Sequence, residues 1–260
     1  MTISTISAIL IGCLFYIMYR IRRKQNKRLH RLNATKDKLF SIISHDLKSP
    51  VAAQRIAVEN MLENLDNYDI QLLQKNLHEF QQATEVQLEL LQNLLNWARV
   101  QTGEIKFRPV SLNISEIITE VAELYHLPAQ NKDITFNIDV DKDCIVEADR
   151  QMMHTILRNL INNAVKFSHE NSEILLQAKC TEKVVTVCVK DYGIGISDEN
   201  MKRLLAFDEN LSTSGTNGEA GSGLGLLITR KMLERNGSNL IINSVEGQGT
   251  EAMFSLIVNE

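Results

Sequence analysis

The sequence has little of what breaks or staples a chain. Its 260 residues hold 3 prolines, 12 glycines, 4 cysteines and one tryptophan, and 5% are aromatic. So few prolines and glycines exclude a proline-rich or collagen-like chain and leave little room for flexible linkers. Positive charge is not in excess either. The formal net charge is −4, so no chain-wide basic field points to nucleic acid, and no nucleic-acid partner is expected. Cys13, Cys144, Cys180 and Cys188 lack C-x-x-C spacing and histidines at zinc-site distances. They read as reduced thiols, not as disulfides or a metal cluster. What remains is ordinary for a globular protein: 44% hydrophobic and 23% charged, which excludes a mainly disordered or multi-span membrane chain.

Charge is also missing locally. Residues 1–19 contain no Lys, Arg, Asp or Glu, and 3–19 are almost all apolar or small. Arg20, Arg22, Arg23, Lys24, Lys27, Arg28 and Arg31 follow at once. A run of about 17–25 apolar residues can cross a bilayer as a helix, and basic residues stay on the cytoplasmic side. The pattern predicts a transmembrane helix over 1–20 and a basic juxtamembrane helix over 21–34. The chain would be single-pass in the inner (cytoplasmic) membrane, with the remainder in the cytoplasm. A cleaved signal peptide would carry its charges before the apolar run. A buried or interfacial helix is the alternative. Only a stub precedes the span, so either no extracytoplasmic domain exists or the chain is the C-terminal part of a longer protein.

From Lys24 to Leu65, and again from Ile70 to Gln101, the residues favour helix. Leu73, Leu77, Phe80, Thr84, Leu88, Leu91, Leu95 and Ala98 keep a three-to-four spacing, the mark of one apolar helix face. Asp66-Asn67-Tyr68-Asp69 has turn chemistry, so the two helices form an antiparallel hairpin over 35–102. One hairpin cannot bury stripes this long. Two would pair into a four-helix bundle, which predicts a homodimer. A linker over 103–110 contains Gly103 and Pro109.

The pattern then changes, and 111–260 reads as one α/β domain. Asn113 and Glu116 mark a helix start. Ile134–Val140 and Ile145–Ala148 read as strands, and Asp149 caps a helix running to about Ser168. Glu173–Cys180 and Lys183–Lys190 form a hairpin, as do Leu240–Val245 and Thr250–Val258, with a helix from Leu224 to Arg235. This order predicts an α/β sandwich, a mixed sheet covered on one face. The chain as a whole is α+β.

Four stretches carry candidate chemistry. In Ser44-His45-Asp46-Leu47-Lys48-Ser49-Pro50, His45 lies about 200° around the helix from Ile43, at 100° per residue. If Ile43 and Leu47 face the bundle core, His45 and Ser49 face water. Asp46 can orient the imidazole or take its proton, and Pro50 should bend the helix. In Asn159–Phe167, Leu157, Leu160, Ile161 and Ala164 form the buried stripe, while Asn159, Asn163 and Lys166 share another face. Amide oxygens suit Mg²⁺ and a lysine suits phosphate. Asp191-Tyr192-Gly193-Ile194-Gly195 follows a strand, and Gly221-Ser222-Gly223-Leu224-Gly225 opens a helix. Glycines let backbone approach a ligand, and a helix start favours phosphate. Neither stretch has the strand–turn–helix setting of a dinucleotide fingerprint or the Gly-Lys-Ser/Thr of a P-loop. Each stretch alone also reads as ordinary surface or a bare turn.

In this order, the four stretches resemble the sensor histidine kinases of two-component systems, from about Arg31 to Val258. They are similar to that family's H-box, N-box and two glycine boxes, and Gly247-Gln248-Gly249-Thr250 is similar to its closing Gly-x-Gly-Thr. The resemblance implies a dimerisation and phosphotransfer hairpin followed by a gyrase/MutL-type ATP-binding domain. It makes His45 the phosphoacceptor and Asp46 its acid/base helper. Asn163 would coordinate Mg²⁺, Lys166 would contact phosphate, and Asn159 would lie beside metal and phosphates. Asp191 would accept a hydrogen bond from the adenine amine. Phe167, Gly193, Gly195, Gly221, Gly223, Leu224, Gly225 and Thr250 complete the implied ATP pocket. The implied partner is the receiver domain of a response regulator. Gyrase and MutL carry a water-activating Glu where Asn159 stands, and an amide cannot act as that base. The family's phenylalanine box is reduced to Leu204-Leu205-Ala206-Phe207, which puts lid packing in doubt. Ser49, four residues after His45, leaves phosphatase activity open. An ATPase or serine/threonine kinase on the same fold, and an inactive dimeric scaffold, are the rival readings. Residues 211–220 are small and polar, which predicts a lid that orders only with nucleotide.

Overall fold

The computed structural model describes residues 12, 14–16, 18–23, 25–26, 51–63, 70–102, 107–205, 215–217, 219 and 224–258. His45, Asp46, Ser49, Gly221 and Gly223 lie outside them, as do residues 64–69 and 103–106. The chain divides into two compact units, Met1–Asn76 and Leu77–Glu260.

In the first unit the described residues up to 26 are helical, and so are residues 51–63 (α1). Among the described residues no helix is long and apolar enough to cross a membrane. Most of the first twenty lie outside that set. Helix α2 runs Ile70–Thr102, within one residue of the span its apolar spacing predicts. Leu73, Leu77, Phe80, Leu88, Leu91 and Leu95 are all exposed along it in the single chain.

The second unit holds the α/β domain. Strand β1 (Pro109–Asn113) pairs antiparallel with β3 (Ile145–Asp149). A separate five-stranded sheet runs β2-β4-β5-β7-β6, from β2 (Thr135–Val140), β4 (Glu173–Cys180), β5 (Val184–Asp191), β6 (Ile241–Val245) and β7 (Gly249–Ile257). Only β2–β4 is parallel. Between the strands come α3 (Ile114–Leu124), α4 (His126–Gln130), α5 (Arg150–Phe167), α6 (Asp198–Leu205) and α7 (Leu224–Arg235). The linker therefore ends earlier than expected: Pro109 already pairs with Asp149. Proline has no N–H to give a ladder, so this short run did not read as a strand.

Alternation places the core. Strand residues two apart share a face. Ile174, Leu176 and Ala178 of β4, Val185, Val187 and Val189 of β5, and Ala252, Phe254 and Leu256 of β7 are all buried. Pairing aligns them, with Leu176 opposite Val189 and Val187 opposite Phe254. Onto this domain's core pack Ile114, Ile117, Ile118 and Val121 of α3 and Met153, Ile156, Leu157, Leu160 and Ile161 of α5, all 0–2% exposed. Burying about ten such side chains, at roughly 1.5–3 kcal/mol each, is the main force holding helices to sheet.

The thiols correct the sequence reading. Cys144, before β3, and Cys180, at the end of β4, form a disulfide with Cα atoms 5.7 Å apart. Cys188 is free and buried. Thirty-six residues separate the bonded pair, and a spacing rule built on short motifs cannot see such an approach.

Candidate functional site

The buried row of β5 does not stop at Val189. Two residues on, Asp191 points to the same face, where the core ends. Its register partner is Ile174, and it is 6% exposed. A carboxylate there is expensive to ionise. Burial, partly offset by bonds from the Gly193 and Thr250 backbone, pushes its pKa up to about 6. Oδ1 accepts both bonds, from Gly193 N at 3.0 Å and Thr250 N at 3.2 Å. No described residue donates to Oδ2.

Glycines crowd around this carboxyl because backbone passes too close for a side chain. A Cβ on Gly193 would strike the carbonyl of Phe167, and one on Gly249 the carbonyl of Asp191 itself. Gly249 (φ 104°) and Gly195 (φ 64°) also adopt the left-handed backbone that other residues avoid. Ser244 clasps the two loops: its Oγ accepts from Ile196 N at 2.9 Å and donates to Gly249 O at 2.8 Å. Thus β5, β7 and the Gly193–Gly195 turn fix Asp191 from three sides.

Helix α5 forms the neighbouring wall. Asp149 caps it, accepting from Met152 N at 3.1 Å, as its position in the sequence predicts. Asn159, Asn163 and Lys166 recur at i, i+4 and i+7, one stripe of a 3.6-residue helix. Asn159 Nδ2 donates to Gly225 O at 3.1 Å and Thr229 Oγ1 at 3.3 Å, which ties α5 to the start of α7. Asn163 is half-buried, and its amide has no bonding partner among the described residues. Lys166 is 8% exposed, with Nζ 4.9 Å from the centroid of the Phe167 ring. Leu224 and Gly225 open α7. A half-buried amide with open oxygen lone pairs fits a hard cation such as Mg²⁺, and glycine-lined backbone fits a ligand packed against it.

The sequence reading missed Lys132, which is 6% exposed. Its Nζ donates to the carbonyls of Val165 and Lys166, each at 3.1 Å, and to Thr216 Oγ1 at 2.8 Å. It also pairs with Glu219. Burial would raise the Glu219 carboxyl, but the Lys132 bond and backbone donors hold it below its ordinary value. Lys132 sits between α4 and β2, far in sequence from everything it binds. Long lysines are solvated in most settings, and nothing in the pattern marks this one.

The chain is similar to several known proteins. Residues 148–260 match the family described as histidine kinase-, DNA gyrase B-, and HSP90-like ATPase. Adaptive-response sensory kinase SasA of Crocosphaera subtropica is 29% identical over 243 residues, 91% of this chain and 63% of that protein. Sensor histidine kinase WalK of Bacillus subtilis is 27% identical over 222 residues, 84% of this chain and 36% of that one. The histidine kinase AdeS of Acinetobacter baumannii shares the fold with a TM-score of 0.64 at 15% identity, over 83% of this chain and 98% of that one. The histidine kinase ThkA in complex with the response regulator protein TrrA gives 0.65 at 22% identity, over 93% and 66%. The chain spans less than two thirds of the length of the curated relatives it matches. Residues 148–260 thus match the histidine kinase-, DNA gyrase B-, and HSP90-like ATPase family, and the chain as a whole is similar to sensor histidine kinases.

Proposed function

We propose that the chain is a protein histidine kinase that binds ATP in the α5/β5/β7 site and phosphorylates its own His45. The observation that carries this reading is Asp191. It is a buried carboxyl with Oδ2 undonated among the described residues, beneath turns too tight for any side chain. Such a group is placed to accept a hydrogen bond from a flat, amine-bearing base. Asn163 and Lys166, on the α5 stripe, would face the phosphates. Asn163 would hold Mg²⁺, which supplies charge neutralisation when bound. Phe167, Gly193, Gly195 and Thr250 would shape the base end, while Leu224 and Gly225 at the start of α7, with Gly221 and Gly223 before them in the sequence, would serve the phosphate end. An amide at Asn159 cannot deprotonate water, which suits a kinase that must keep ATP for its own histidine.

In the reaction the His45 imidazole bonds to the γ-phosphorus as the bond to the β,γ-bridging oxygen breaks. ADP leaves, and Asp46 takes the imidazole proton. Rate would come from positioning and charge neutralisation. The phosphoryl group then passes to an aspartate on a response-regulator receiver domain, and Ser49 leaves a phosphatase step open. The exposed apolar stripe of α2 supports a homodimer through a four-helix bundle over 35–102. The uncharged residues 1–19 and the basic cluster behind them support a single-pass anchor in the inner membrane, with the kinase region in the cytoplasm. Incubation with γ-labelled ATP tests the reading. Acid-labile, base-stable label should form on the wild type and be absent from His45→Gln, which still binds ATP. Label persisting on His45→Gln would overturn the assignment.

A further inference from the structure

Residues 215–219 hold more structure than their composition suggests. Gly215 N donates to Glu219 O at 2.8 Å, closing a tight turn. Asn217 N donates to Glu219 Oε2 at 2.9 Å. The turn is then strapped to the end of α5. Thr216 N donates to Lys166 O at 3.1 Å, and Thr216 Oγ1 donates to Ser168 O at 2.8 Å. Beneath it lies the Lys132 ammonium, with a side chain 7% exposed and paired to Glu219. The strap also rests on Lys166 itself. A Cβ at Gly215 would come within 2.6 Å of Lys166 Cγ, so only glycine lets the turn lie that close.

The chemistry explains why Lys132 is buried here. The last carbonyls of a helix have no partners within it, and the helix end carries partial negative charge. Lys132 satisfies the carbonyls of Val165 and Lys166 with two of its three protons. The third goes to the strap, whose Glu219 supplies the countercharge a buried ammonium needs. One cation therefore serves two elements at once, the end of α5 and the strap that carries Thr216 and Glu219. Remove it, and the carbonyls, the hydroxyl and the carboxylate all lose their shared partner.

We propose that Lys132, with Thr216 and Glu219, is a positioning device for the phosphate-facing end of α5: it fastens Gly215, Thr216 and Glu219 over Lys166 and so holds that lysine in place. This rests on the nucleotide-binding reading above. Lys132 touches no reacting atom in the proposal. It acts by holding Lys166.

The full-length chain is compared with Lys132→Met, Thr216→Val and Glu219→Gln, using adenosine and ATP as separate probes. Adenosine reports the Asp191 end, and ATP adds the phosphate end. The expected result is an ATP affinity lowered about tenfold, equivalent to about 1.4 kcal/mol, with adenosine affinity within about twofold of wild type. Hydrogen exchange of the Gly215 and Thr216 amides, measured without nucleotide, should speed up in all three variants. Unchanged exchange at both amides would overturn the proposal, and so would an equal loss of ATP and adenosine binding. If the wild type bound neither probe, the nucleotide reading would fall, while the exchange experiment would still decide the anchor. Thr216→Val and Glu219→Gln lie on the strap, so they decide the matter even if Lys132→Met does not fold.

Discussion

At the scale of single residues, position in a row decides chemistry. Asp191 is buried because it continues the inward row of Val185, Val187 and Val189, one step past where side chains pack against side chains. That row is legible in the sequence, and so is the glycine after it. The raised pKa is not, since it depends on which loops close over the carboxyl. It carries a pH signature. The folded-state value near 6 lies above the ordinary 3.8, so the folded protein holds the extra proton between these values. Stability then falls as pH rises through about 4 to 6. Adenosine binding should run the other way, because the amine needs the ionised carboxylate. We expect affinity to drop by up to about tenfold per pH unit below 6, and Asp191→Asn to bind weakly with a flat profile. Calorimetric titration with adenosine avoids the titration of phosphate groups. A wild-type profile as flat as the variant's would refute Asp191 as the titrating acceptor. Lys132 is the opposite case: its role needs α5, the strap and its own loop together, and no local pattern carries that.

At the scale of elements, ends matter more than middles. The spans of α2, α5, α7 and the β4–β5 hairpin follow from periodicity within a residue or two, because each carries one apolar face. The joints were less visible. Asp149 was readable as the cap of α5, but its other oxygen, Oδ2, also accepts from Arg108 N at 3.0 Å, pinning the chain as it enters β1. Its own N–H donates to Asn236 Oδ1 at 3.1 Å, just past α7. One residue thus joins the linker, the site helix and α7. Asp149→Ala should cost about 1–2 kcal/mol from the lost cap, with an added cost for the freed Arg108 amide. For a domain of this size that lowers Tm by several degrees, about 2–4 °C per kcal/mol. Asp149→Asn should recover only the helix cap, since its single amide oxygen can accept from Met152 N but leaves the Arg108 amide facing an NH2 group. A melt in which Asn and Ala behave alike would show that the carboxylate charge, not the caps, is what counts. The Cys144–Cys180 bond teaches the same lesson, since β-strand register brings together residues that spacing keeps apart.

At the scale of the whole molecule, the sequence pattern of α2 raises the question of what covers it. Leu77, Leu88 and Leu95 are 54–56% exposed in the single chain, on a stripe that repeats every three to four residues. A monomer rarely leaves so long an apolar face in water. Among the described residues, α2 lines up its exposed large apolar side chains along one continuous helix. Under the proposed reading a second copy covers it, and the dimer is what presents His45 to a nucleotide-bound domain. Leu88→Glu places a charge in the middle of that face. We expect it to shift the protein from dimer to monomer in sedimentation at micromolar concentration. It should cut His45 labelling at least tenfold while ATP affinity stays within about twofold, since the nucleotide site lies in strands and helices after residue 107. Labelling should then fall off with dilution of the wild type, in step with the dimer fraction. Full labelling by a Leu88→Glu protein that sediments as a monomer would show that one chain phosphorylates itself unaided, and the apolar stripe would need another partner.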